Sequence, residues 1–243
     1  MIRQPVAIVT GSGRRLGRQI VLALAENGFA VVVNYNESRA AAEQTVKTIT
    51  ANGGNAFAVR ADVSDRAAVN RMIKRTLAKY GRIDLLVNNA AVFVDATLDK
   101  ITDELWDTTL NINLKSVLLC SQAVTPFMLK RKAGKIINIA SLGGIQAWAQ
   151  HIPYSVSKAG VIMLTRCLAR SLAPHVTVNA IAPGTIIIED EEDPSLRHLP
   201  SAKIPLKKFG TPSDITSLVL YLATTASYIT GQIILVDGGR SIP

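Results

Sequence analysis

Short apolar runs, each followed by a stretch with helical spacing, constrain this chain more than any other feature. They are residues 5–9 (PVAIV), 29–35 (FAVVVNY), 56–60, 83–87 (IDLLV), 136–140 (IINIA), 176–181 and 232–236. These runs show little polar alternation, as strands buried on both faces do. Strand and helix in repeated succession predict an α/β fold with a doubly wound parallel sheet. Punctuation marks some helices. Residues 38–52 start at Ser38 and stop at Gly53-Gly54; residues 66–80 are entered through Ser64 or Asp65 and end at Gly81. A long helical stretch is expected from about 102 to 132, and a last helix over 214–223. No linker or repeat interrupts the 243 residues, so one domain is expected over 1–243. It carries a loop-rich insert at 186–209, where the acidic run 189–193 (EDEED) could form a substrate lid or a plain exposed loop.

The first strand runs into TGSGRRLG, residues 10–17, and then into a helix. A strand, a glycine turn and a helix N-terminus form a phosphate cradle, because the backbone can approach the ligand and the helix dipole favours an anion. The second strand ends in Asn34, Tyr35 and Asn36, without the acid that would grip a ribose 2′-hydroxyl. Arg14, Arg15, Ser38 and Arg39 lie nearby and favour a 2′-phosphate, hence NADP(H); Glu37 argues the other way. Asp62, after the third strand, could accept a hydrogen bond from an adenine amino group.

Tyr154 and Lys158 stand four residues apart, on one face of a helix and one turn from each other. A phenol has a pKa near ~10, and an ammonium beside it favours the phenolate. Lowering it by about three units requires roughly 4 kcal/mol. Ser141 follows the buried run IINIA, where its hydroxyl could hold a substrate oxygen while Tyr154 protonates it. Asn111 and Asn113 are polar within an apolar helix; Asn113 could instead cap or bend that helix.

The net charge of +9 suits an anionic partner: a phosphate-bearing cofactor, an acidic carrier or nucleic acid. Lys130, Arg131 and Lys132 form the tight basic run, and no nucleic-acid-binding pattern accompanies it. Cys120 and Cys167 read as reduced core residues of a cytoplasmic protein. No apolar run reaches the ~18 residues of a membrane span. His151, His175 and His198 show no ligand spacing, and no metal site is expected.

Thr10-Gly11 with Gly17, Asn88-Asn89-Ala90, Asn113, Ser141, Tyr154, Lys158, Pro183-Gly184 and the C-terminal YITGQIILVDGG resemble, in order and spacing, the short-chain dehydrogenase/reductase family. The resemblance covers nearly the whole chain. It implies an oxidoreductase that moves a hydride between NADP(H) and a carbonyl or alcohol. Tyr154 would be the proton donor, Lys158 its partner and a ribose contact, Ser141 the carbonyl-orienting residue, and Asn113 the holder of a relay water. Gly11, Arg14, Arg15, Leu16, Asn34 and Ser38 would surround the pyrophosphate and ribose. Asp62 and Val63 would meet the adenine; Asn89, Pro183, Gly184 and Ile186 would line the nicotinamide end. The resemblance further implies a homotetramer. Arg15 departs from a usual loop glycine, Ala91 from the glycine of N-N-A-G, and Ile188 from a frequent threonine.

Two branches of the family fit. The 3-oxoacyl-carrier-protein reductases share the Asn-Ser-Tyr-Lys set, and Lys130 to Lys132 with Arg170 could receive an acidic carrier. The pteridine and dihydropterin reductases resemble the chain at GRRLG and at Phe93, which would stack on a pterin unless it merely packs in the core. Phe93, Ser141 and Trp148 are the expected substrate contacts. An aspartate usually replaces Ser141 in that second branch, which favours a carbonyl substrate. A catalytically idle NADP-binding protein and a nucleic-acid-binding protein are the readings outside enzymology.

Overall fold

The computed structural model describes residues 4–188 and 201–242. The acidic run at 189–193 lies outside the described residues. Seven parallel strands form one sheet in the order β3-β2-β1-β4-β5-β6-β7. They are β1 (Val6–Val9), β2 (Ala30–Tyr35), β3 (Asn55–Arg60), β4 (Leu85–Asn88), β5 (Gly134–Ile139), β6 (Val176–Pro183) and β7 (Ile233–Val236). Every expected strand is present. β6 runs on to Pro183, which closes the strand instead of breaking it before that residue.

The helices are α1 (Arg15–Glu26), α2 (Arg39–Ala51), α3 (Arg66–Tyr80), α4 (Asp103–Leu110), α5 (Ser116–Lys130), α6 (Ile152–Leu172) and α7 (Pro212–Thr224). On one face Ile20, Val21 and Leu24 of α1, Ile49 of α2 and Val219 of α7 pack on Val9, Val31 and Val33. On the other, Met72 of α3, Val124 and Met128 of α5 and Leu172 of α6 pack on Ile8, Val32 and Leu86. Burial on both faces explains why the strands read as continuous apolar runs. Cys120 is buried in the second layer, which pushes its thiol up to about 12; Cys167 is exposed, not a core residue, because it falls on the outer face of α6.

Asp65 caps α3 by accepting from the backbone N–H groups of Ala67 and Ala68, and Gly81 ends it in the left-handed conformation. Ser38 stands at the start of α2 but its side chain makes no capping bond. The stretch expected as one long helix is α4 and α5 joined by a π-helical segment, Asn111–Lys115. Over Asp103–Lys130 it is long and apolar enough, by length and composition, to cross a membrane. Leu119, Cys120, Val124 and Met128 are buried against the sheet and account for much of that apolar content.

The sheet order reverses between β1 and β4, whose carboxyl ends therefore open a crevice. At the amino ends the chain is clasped. Asp84 accepts from the Val6 N–H (2.8 Å) and pairs with Arg82 and Arg131. Burial opposes ionisation of Asp84, but the bonds from Arg82, Val6 and Arg131 outweigh it and hold the carboxyl below its ordinary value. Lys135 donates to the carbonyls of Leu222 (3.0 Å) and Ala226 (2.6 Å), tying β5 to the end of α7.

Candidate active site

A cleft of about 1180 Å³ occupies the carboxyl ends of the strands, from the glycine turn to the C-terminal segment. At one end is the cradle. Gly11 has φ +61°, and a Cβ there would lie 2.9 Å from the Ala90 Cα. A Cβ on Gly17 would lie 2.5 Å from the Gly11 carbonyl oxygen. Both positions therefore require glycine. Arg15 keeps a left-handed φ of 53° although it is not glycine, a strained conformation of the kind stored at binding loops. Arg14, Arg15, Leu16, Ser38, Asp62 and Val63 all line the cleft. These residues fit a dinucleotide: a bare backbone turn at a helix N-terminus, with cationic side chains beside it.

Several expected contacts have other work. Asn34 is buried; its Oδ1 accepts from the Gly11 N–H (3.0 Å), and its Nδ2 donates to the carbonyls of Ala61 (3.0 Å) and Val59 (3.3 Å). Asn89 donates to the carbonyls of Thr10 (2.9 Å) and Gly11 (3.1 Å). Asn34 therefore shapes the cradle, and its side-chain bonds are directed into the protein. Ser38 lies against Gly13, where a Cβ would come 3.1 Å from its Oγ. Arg39 pairs with Glu43 on the exposed face of α2 instead of joining Arg14 and Arg15 in the cleft. Asp62 spends Oδ1 on the N–H (2.8 Å) and hydroxyl (2.7 Å) of Ser64.

At the other end Ser141, Tyr154 and Lys158 converge, together with Pro183, Gly184 and Ile186. Ser141 follows β5, and its Oγ accepts from the Gly143 N–H (3.0 Å). Lys158 is 3% exposed, lies 5.7 Å from the centre of the Tyr154 ring and donates to the Ile139 carbonyl (2.8 Å). Burial brings its amine down to about 8. The phenol of Tyr154 does not follow the expected lowering. Burial penalises the phenolate and raises the pKa, and the hydrogen bond with Ser141 only offsets this in part. Asn113 is fully buried in the π-helical segment. Its Oδ1 accepts from the Val92 N–H (2.8 Å), and its Nδ2 donates to the Val92 carbonyl (2.9 Å) and Ser157 Oγ (3.0 Å). That side chain is committed to protein partners and ties the Val92 segment to Ser157 of α6.

Phe93 is 51% exposed in the cleft, not a core residue. Its ring sits edge-on to Tyr154 at 4.8 Å, while Trp148 lies nearly parallel to the phenol at 6.3 Å. Sequence reasoning missed His151, 4.3 Å from Phe93, whose Nδ1 meets the Val94 carbonyl at 2.8 Å. It also missed Thr185 and Arg240 in the lining. The nearby isoleucine-rich segment and the aromatic neighbours gave no periodic signal for these three. The basic run at 130–132 lies at the amino ends of the strands, away from the cleft, because α5 runs antiparallel to the sheet. Arg131 is committed there to Asp84.

The family model described as enoyl-(acyl carrier protein) reductase matches residues 11–241. A 3-oxoacyl-[acyl-carrier-protein] reductase from Synechocystis sp. is 45% identical over 237 residues, 96% of each chain. A subunit of the (2S)-[(R)-hydroxy(phenyl)methyl]succinyl-CoA dehydrogenase of Thauera aromatica is 41% identical, covering 99% of this chain and 98% of that one. Among solved structures, a variant actinorhodin polyketide ketoreductase with NADPH superposes with a TM-score of 0.91 at 29% identity, covering 99% of this chain and 98% of the other.

Proposed function

Since the chain belongs to the short-chain dehydrogenase/reductase family and is an oxidoreductase using a nicotinamide cofactor, we propose that it reduces a 3-oxoacyl-type thioester with NADPH, Tyr154 delivering the proton. The observation that carries this is the convergence of Ser141, Tyr154 and Lys158 beside the glycine cradle in one cleft. When bound, the cofactor supplies the hydride and the protein supplies position and the proton. Ser141 orients the substrate carbonyl. A phenol raised by burial stays protonated at neutral pH, the form a donor needs. Lys158, with its amine at about 8, is still largely cationic at neutral pH and stabilises the phenolate left behind. Asn113 fixes the Val92 segment and Ser157, and so positions α6.

Arg14 and Arg15 in the cradle support NADP over NAD, with no carboxylate at position 34 to oppose a 2′-phosphate. Glu37 also lines the cleft, so the preference is measured directly as the ratio of kcat/KM for NADPH and NADH. The names of the relatives support a thioester on a carrier protein or coenzyme A. In this reading the chain is a single domain, and Ile186 and Ile188 line the cleft where the 186–209 insert begins. A cytoplasmic homotetramer completes it, supported by Phe127, Val156 and Met163, large apolar side chains exposed on α5 and α6; light scattering tests the assembly.

One observation favours a second reading. Phe93 and Trp148 flank Tyr154 with flat, accessible rings, as a pterin would require. Oxidation of NADPH is therefore followed with a 3-oxoacyl thioester and a dihydropterin side by side. Turnover of the thioester alone supports the carbonyl reading, and turnover of the pterin alone replaces it. If neither is reduced, both substrate assignments fail.

A further inference from the structure

The turn after β7 carries a cation to the substrate end of the cleft. Asp237 folds this turn by accepting from the N–H groups of Gly239 (2.9 Å) and Ser241 (2.7 Å). Arg240 is thereby held from two sides. Its carbonyl accepts from Gln146 Nε2 (3.2 Å), in the segment that follows Ser141. Its Nη1 donates to Thr185 Oγ1 (3.1 Å), next to Pro183-Gly184. Arg240 thus bridges the two segments that bracket the reacting centre, and it lines the same cleft as Ser141, Trp148 and Tyr154.

A guanidinium offers five N–H donors. The Thr185 hydroxyl is the one side-chain acceptor Arg240 meets among the described residues. Glu37, Asp62 and Asp95 line the cleft, yet none forms an ion pair with it among the described residues. A partly desolvated cation with unused donors in a fork geometry matches a carboxylate or phosphate. A clamp on Thr185 alone would need only one neutral donor.

We propose that Arg240 binds an oxyanion borne by the substrate, a carboxylate on its acyl part or a phosphate on its thiol handle. This rests on the carbonyl-reductase reading above and adds a charge requirement to it. Two matched comparisons test it in wild type, R240Q and R240K. The first sets a 3-oxoacyl N-acetylcysteamine thioester ending in a carboxylate against its methyl ester. The second sets a neutral 3-oxoacyl group on coenzyme A against the same group on N-acetylcysteamine.

Wild type is expected to prefer the anionic member of one pair in KM, and the pair identifies the source of the charge. R240Q is expected to reduce that preference by at least about 10-fold, and R240K to restore part of it. Wild type without either preference, or ratios unchanged in R240Q, would overturn the proposal. Calorimetric titration of the same probes into NADP-saturated protein reads the charge preference without turnover. Anion-selective binding without NADPH oxidation would retain the Arg240 site and reject the reductase reading. Melting temperature and NADPH affinity identify an R240Q protein that has lost its fold, and R240K then decides.

Discussion

The two ends of the sheet hold charged side chains in opposite ways. At the amino ends Asp84 meets two guanidinium groups and a backbone N–H, and Lys135 meets two carbonyls at the end of α7. Charge there is matched and closes the structure. At the carboxyl ends, among the described residues, Lys158 is buried with one carbonyl partner, the phenol of Tyr154 is pushed up, and Arg240 keeps donors in reserve. One end uses these charged groups to complete the fold, and the other holds Lys158 and Arg240 where a ligand can meet them. In parallel α/β sheets the carboxyl end is where helix N-termini and loops converge, so the division follows from topology.

Substitutions at each end should separate these roles. Tyr154→Phe removes the proton donor and should lower kcat about 10²- to 10⁴-fold with NADPH affinity retained; undiminished turnover would end the proposed mechanism. Lys158→Met addresses the buried amine. Its pKa of about 8 when folded lies below the ordinary value near ~10.4, so above about 8 the unfolded chain binds more protons and stability rises with pH. Wild type should therefore gain up to about 3 kcal/mol over Lys158→Met between those two values, at roughly 1.4 kcal/mol per unit. Parallel denaturation curves from neutral pH to pH 10 would refute this.

Asp84→Asn works at the other end and in the other pH direction. A carboxyl held below its ordinary value contributes above the unfolded pKa, near ~3.9, and loses that contribution as pH falls through the folded value. At pH 7 the variant should lose about 2 kcal/mol, roughly 5 °C in Tm, with kcat little changed. A fall in kcat with no loss of Tm would mean that the two ends are not separate. Arg15→Gly should have the smallest effect. Relief of the left-handed strain is worth about 1 kcal/mol, partly cancelled by the freer unfolded chain. If Arg15 meets a 2′-phosphate, the NADPH KM should rise more than the NADH KM; equal changes would remove Arg15 from cofactor choice.

Local signals were legible and distant ones were not. Asp65 and Gly81 bound α3 because a cap and a left-handed glycine act within one turn. Tyr154 and Lys158 share a helix, so their meeting needed only the helical repeat. Ser38 misled, because a capping residue type does not fix where the hydroxyl points. A nearby charge alone lowers a phenol's pKa, but at Tyr154 burial, which depends on the whole fold, prevails. Val6 and Arg131, which join the neighbouring Arg82 on Asp84, and the side-chain and carbonyl partners of Lys135 and Arg240 lie tens of residues away and meet only once the sheet is assembled. Asn113 was legible as an unusual residue, but its commitment to Val92 and Ser157 required the π-helical turn.

The bonds of Asn34 bear on redesign of coenzyme preference. The obvious route to an NAD-dependent variant is an acid at the tip of β2. At position 34 a carboxylate would replace the amide that donates to the carbonyls of Val59 and Ala61, setting oxygen against oxygen in a buried place. The same residue supports Gly11, so the exchange would damage the turn it was meant to retune. A library aimed at coenzyme switching should leave residue 34 fixed and vary Tyr35 and Asn36, which also line the cleft.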